Sequence, residues 1–177
     1  PAIVGGWSPE SEQEVGVTVR IGVIGTGLMG AIHARAAQDA PGSRLIAVGG
    51  GSRAAGLGER LGVAVEPDAE ALLARPDVDA VVIATPHTTH LPLVRAAAAT
   101  GRHILLEKPM GVSLADCDAM IAAAEGAGVS FMVAHISRFL PAVREAYGRI
   151  AQGEIGEPRM VVAHRLVDGY PNTGWPL

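Results

Sequence analysis

Short apolar runs alternate with helix-patterned stretches from residue 17 to about residue 135, and this alternation most constrains the fold. The run Ala80-Val81-Val82-Ile83-Ala84 is apolar at every position. A strand with one wet face would alternate apolar and polar residues. A continuous run suits a strand covered on both faces, as in a parallel sheet. Strands are expected at Val17–Ile24, Arg44–Val48, Val63–Val65, Asp79–Thr85, His103–Glu107 and Val129–Ala134. Helices are expected at Leu28–Asp39, Ser52–Leu61, Pro67–Ala74, Thr89–Thr100, from the N-cap Ser113 to Ala127, and at Phe139–Gln152. Pro41-Gly42, Gly62 and Gly101 stop the helices before them. Pro92 falls in a first turn, where its missing N–H costs little. Ser113 followed by Asp116 is a variant of the capping box.

Strand–helix alternation of this kind demands right-handed crossovers and a doubly wound, mostly parallel α/β sheet. The expected domain spans residues 19–137. Residues 1–18 match no element and read as a poorly ordered tail. Residues 138–177 break the rhythm with a helix and a longer strand candidate, Pro158–Val167. They read as the entry into a second, incomplete α/β domain, because about 40 residues cannot enclose a core of their own.

Composition narrows the function classes. The 177 residues are 49% hydrophobic and 18% charged, enough to fill a core. Aromatics make up 3% and the net charge is −4 without a basic cluster, so a nucleic-acid surface is not expected. The one cysteine, Cys117, rules out an internal disulfide and a cysteine-rich metal site, and reads as a small hydrophobe on a helix. No apolar run is long enough for a membrane helix, and no basic-then-apolar leader opens the chain, so the expected compartment is the cytoplasm.

Gly25, Gly27 and Gly30 fit G-x-G-x-x-G, in a segment that leaves a strand and opens a helix through Leu28 and Met29. In that context the motif points to dinucleotide binding: a tight turn at Gly25, backbone approach to a pyrophosphate at Gly27, and close helix–strand packing at Gly30. The first amides of the helix supply unpaired donors. A site for NAD commonly has an acid at the end of the second strand for the ribose 2′-hydroxyl. Here that region reads Val48-Gly49-Gly50-Gly51-Ser52-Arg53. Ser52 and Arg53 suit a 2′-phosphate, and no carboxylate repels it, so NADP(H) is favoured over NAD(H).

Two further segments leave strands at the same edge. Thr85-Pro86-His87-Thr88-Thr89-His90 reads as a loop lining the cofactor, with His90 anchoring the next helix. Either histidine could equally be a satisfied structural group. His87 and His90 imitate metal-ligand spacing, but no third ligand accompanies them, and no metal is expected. The other segment, Glu107-Lys108-Pro109, ends a strand in an acid, a base and a proline. In an open α/β sheet ligands bind outside the carboxyl ends of the strands, so Lys108 is the candidate catalytic group.

In this order the stretches GVIGTGLMG, VDAVVIATPHTTH and GRHILLEKP resemble the Gfo/Idh/MocA family of glucose–fructose oxidoreductase, inositol dehydrogenase and relatives. SRFLPAVREAYGRIAQGEIGEP resembles that family's link into its second domain. The resemblance implies an NAD(P)-binding Rossmann domain and an α/β domain that forms oligomer contacts and a wall of the substrate pocket. It implies hydride transfer between nicotinamide and a hydroxyl or carbonyl of a sugar, cyclitol or similar small molecule, in a homo-oligomer. It places Lys108 beside nicotinamide and substrate, Glu107 as a support of that loop, and Pro86 and His90 along the cofactor cleft. The bond before Pro109 is cis in such proteins. Ile136 stands where the family often has a polar residue. The family's second catalytic segment, an aspartate with a histidine four residues on, falls beyond residue 177. A non-catalytic nucleotide-binding module and an NAD-assisted glycoside hydrolase are the alternatives on the same scaffold.

Overall fold

The computed structural model describes residues 18–164. They fall into two compact units that divide between His135 and Ile136. The first holds six strands: β1 (Val19–Ile24), β2 (Ser43–Gly49), β3 (Ala64–Glu66), β4 (Ala80–Ile83), β5 (His103–Leu106) and β6 (Phe131–Val133). It also holds five helices: α1 (Leu28–Asp39), α2 (Ala54–Leu61), α3 (Ala69–Leu73), α4 (His90–Ala99) and α5 (Leu114–Ala127). The strands form one sheet in the order β3-β2-β1-β4-β5-β6, and every pairing is parallel. This is the doubly wound order in which chain direction across the sheet reverses between β1 and β4.

Both faces of the sheet are covered. On β4, Val81 and Ile83 belong to one apolar layer with Leu72, Val94, Ala97 and Met120. Val82, between them, belongs to the other with Val23, Ala34, Val48 and Leu57. Alternate side chains of a strand point to opposite faces, so a strand buried on both needs an unbroken apolar run. That is the physical origin of the run at residues 80–84.

Caps set the helix ends. The Ser113 hydroxyl accepts the Asp116 N–H at 3.1 Å, and the Asp68 carboxylate accepts the Ala71 N–H at 2.8 Å. Satisfying an otherwise orphaned first-turn amide in this way is worth about 1 kcal/mol. In this unit α2, α3 and α4 begin one or two residues later than the sequence pattern implies. Ser52 and Arg53 precede α2 as loop and cap. A single turn of 3-10 helix, His87–Thr89, precedes α4.

The second unit contains α6 (Pro141–Ala151), preceded by a 3-10 turn at Ile136–Phe139. The expected strand Pro158–Val167 is not formed where it is described: residues 158–164 have no regular structure, and 165–167 lie outside the described residues. A strand is stable only as part of a ladder, and this segment has no strand partner among the described residues. The expected tail, 1–18, lies outside the described residues except for Thr18.

The amino-terminal edge of the sheet carries an ion-pair network. Arg20 Nη2 meets Asp79 Oδ1 at 2.6 Å, and Arg20 donates both its Nε–H and its backbone N–H to Asp79 Oδ2 at 2.9 Å. These bonds hold the Asp79 carboxyl down at about 2, against an ordinary 3.8. A lowered native-state value stabilises the fold above the unfolded value and is lost as pH falls through the native one. The side chains are over a third exposed, so the effect is modest. Asp79→Asn is expected to lower the melting temperature at neutral pH. That deficit should shrink as pH falls from 3.8 toward about 2, as thermal denaturation followed by circular dichroism would show.

Candidate functional site

Four loops leave the carboxyl ends of β1, β2, β4 and β5 at one edge of the sheet, and backbone bonds hold their first residues in step. Gly25 N–H donates to Gly49 O at 2.9 Å, Ala84 N–H to Ile24 O at 2.8 Å, and Glu107 N–H to Ile83 O at 2.9 Å. The buried Thr26 hydroxyl donates to Gly50 O at 2.9 Å and ties the first loop to the second.

The glycines of the first loop have separate physical tasks. Gly25 has φ +96°, and a Cβ there would lie 2.6 Å from Ala84 O. A Cβ at Gly30 would overlap the Gly25 carbonyl oxygen, so only glycine lets α1 approach the turn this closely. Gly27 differs: the nearest neighbour of a Cβ there is Arg53 Nη2, at 3.7 Å. Packing of the fold therefore does not itself require glycine at this position.

No side chain caps the start of α1, and its first turn has no acid. The unpaired amides and the positive dipole end are therefore available to an anion. They border a cleft of about 330 Å³ lined by Thr26, Gly27, Leu28, Ala31, Ser52, Arg53, Gly56 and Arg60. Met29 is half-buried beside Gly30. Among the described residues no hydrogen bond or ion pair engages the guanidinium of Arg53 or Arg60. Sequence reasoning missed Arg60. The signal was its place seven residues after Arg53, two turns along the same helix face, with Gly56 leaving the space between them open.

Thr85, Pro86 and His87 leave β4 beside this cleft edge. Thr89 Oγ1 lies 2.8 Å from Thr85 Oγ1 and 2.7 Å from Pro86 O, which closes the turn. His90 is 1% exposed, with Nδ1 3.1 Å from Met110 O and Nε2 3.1 Å from Thr85 O. Both ring nitrogens thus meet backbone carbonyls, and the ring joins the β4 loop to the segment after Pro109. His87 remains partly exposed. No group of three or more histidine, cysteine or acidic side chains among the described residues could hold a metal.

Glu107 is buried, whereas Lys108 and Pro109 are exposed, and the Lys108–Pro109 bond is cis. Among the described residues nothing pairs with the Lys108 ammonium, so it is not a strand-end lysine neutralised by a surface acid. Glu107 Oε2 accepts the Lys108 backbone N–H at 2.9 Å, and its Oε1 lies 2.7 Å from His33 Nε2 on α1. His33 is a second residue that sequence reasoning missed. A lone histidine inside a helix carries no spacing signal, and its partner is 74 residues away.

A parallel sheet with this strand order, a side-chain-free cradle at an uncapped helix start and cations at the end of β2 define a dinucleotide-binding α/β domain. The profile of the oxidoreductase family with an NAD-binding Rossmann fold, Gfo/Idh/MocA, matches residues 19–135, and the chain belongs to that family. It is 35% identical over 162 residues to 2,7-anhydro-N-acetylneuraminate hydratase of Mediterraneibacter gnavus, covering 89% of this chain and 43% of that protein. It is 37% identical over 144 residues to scyllo-inositol 2-dehydrogenase (NAD(+)) of Bacillus subtilis, covering 79% and 42%. Scyllo-inositol dehydrogenase of Lactobacillus casei, solved with NAD(H) and scyllo-inositol, superposes with a TM-score of 0.74 at 30% identity, covering 79% of this chain and 43% of that one. The chain thus spans under half the length of these relatives. No helix among its described residues is long and apolar enough to cross a membrane.

The two glycines should separate by experiment. Gly27→Ala is expected to keep stability within about 1 kcal/mol of the wild type, since alanine is only a modestly poorer cap, while losing dinucleotide binding. Gly30→Ala is expected to cost about 3 kcal/mol or more, the upper end of overpacking, because the obstacle is backbone. Urea unfolding and dinucleotide fluorescence titration measure the two effects.

Proposed function

We propose that this chain is the cofactor-binding part of an NADP(H)-preferring oxidoreductase that acts on a hydroxyl or carbonyl of a sugar, cyclitol or related small molecule. The observation that carries the cofactor preference is the cation pair Arg53 and Arg60, with Ser52, in the cleft after β2, whose lining includes no acid. The α1 amides would hold the diphosphate over Gly27. Ser52, Arg53 and Arg60 would take the 2′-phosphate, and the Thr85-Pro86-His87 turn would border the nicotinamide half. One of the relatives above carries NAD in its name and another was solved with NAD(H), so the arginines are offered as this chain's own departure.

The bound nicotinamide would supply hydride transfer. Lys108 would donate a hydrogen bond to the reacting oxygen, and its charge would stabilise negative charge developing there. Glu107 and Pro109 would shape the turn that presents it. The residues that recognise substrate and exchange its proton would come mainly from outside the described residues, and the oligomer contacts with them. The hydratase relative bears on the assay. Reduced nicotinamide followed at 340 nm distinguishes net oxidation from a reaction that returns the cofactor unchanged, and net oxidation of a polyol is expected.

A charge-assisted hydrogen bond is worth about 1.5–3 kcal/mol. Arg53→Ala and Arg60→Ala are therefore each expected to weaken NADPH binding roughly 10- to 100-fold and to leave NADH binding within about threefold. Equal affinity of the wild type for both would overturn the preference, and binding of neither would overturn the cofactor reading. Lys108→Ala is expected to keep NADPH affinity while abolishing turnover.

A further inference from the structure

Glu107 carries a carboxylate with a side chain only 6% exposed, which is costly unless its oxygens are occupied. One oxygen accepts the N–H of Lys108, and the other meets His33 Nε2 at 2.7 Å. An ionised carboxylate only accepts, so the proton in the second bond belongs to the imidazole. His33 is itself 11% exposed and stands on α1, the helix whose first amides border the cradle at Gly27.

We propose that His33 is a positioning residue for Lys108. Its Nε2–H holds the Glu107 carboxylate in the one orientation from which the other oxygen fixes the Lys108 amide. The residue carrying the amine is thereby registered to the helix at the dinucleotide site. α1 abuts the turn after β1 without a side chain between them, and Glu107 is tied to β4 by its own N–H. Without His33, the carboxylate would turn toward water or draw it in, and Lys108 would lose its anchor while the α1 amides stayed in place. This role rests on the cofactor and lysine assignments proposed above.

The test uses amide NMR together with kinetics. In the wild type, the His33 Nε2–H is expected as a slowly exchanging imidazole resonance, and the Lys108 amide is expected to be protected from exchange. His33→Leu should raise Lys108 amide exchange at least tenfold without a matching rise along β1, β2 and β4. His33→Gln, which offers an N–H from a similar side chain, should restore much of the protection. With dinucleotide and polyol, His33→Leu should lower kcat on the order of 100-fold, as expected for a reactive group displaced by about 1 Å, and leave dinucleotide affinity within about threefold. A freely exchanging His33 ring in the wild type would overturn the proposal even if the leucine variant failed to fold. So would uniform loss of protection in His33→Leu, or no rescue by glutamine. The NMR arms need no cofactor, so failure of the wild type to bind either dinucleotide would count against the functional reading alone.

Discussion

The close approach of α1 to the turn after β1 is the contact on which the rest of the site depends. A methyl group at Gly30 would collide with the Gly25 carbonyl, so the helix lies where it does only because that position has no side chain. From this placement follow the position of the uncapped helix start at the cradle and the reach of His33 to Glu107. One steric allowance thus sets both the binding edge and the support beneath the lysine.

Charge is distributed unequally between the ends of the sheet. At the amino-terminal edge, Arg20 pairs with Asp79 and Arg75 with Asp77, and Arg75 also reaches Glu66, the last residue of β3. Arg102 donates to the carbonyls of Val78, Leu73 and Arg75. These three cations are spent on the fold, whereas Arg44, near the start of β2, makes no such bond among the described residues. At the opposite edge, Arg53, Arg60 and Lys108 make no such bonds among the described residues. Cations left unpaired beside unpaired helix amides are poised to meet an anion, whereas an acid beside them would have neutralised them.

The buried polar groups at that edge are committed to holding loops. Thr26 joins the β1 and β2 loops, His90 joins the β4 loop to the segment after Pro109, and Glu107 joins β5 to α1. Each satisfies its partners inside the protein, so the loops keep their relative positions without a ligand. A cleft arranged in advance loses less entropy on binding.

Much of this was legible in the chain because local rules decide it. The apolar run at residues 80–84 reflects burial on both faces, the glycine spacing reflects a turn feeding a helix, and Ser113 and Asp68 are caps that act within three residues. Such features need only neighbours in sequence, and they determined the strand–helix order, the doubly wound class and the glycine turn that opens α1. The tertiary structure alone decided that His33 meets Glu107, that His90 spans two loops, and that residues 158–164 form no strand. The reason is physical: the histidine contacts lie between residues brought together by chain crossovers, and a strand exists only where a partner supplies the other half of its hydrogen bonds.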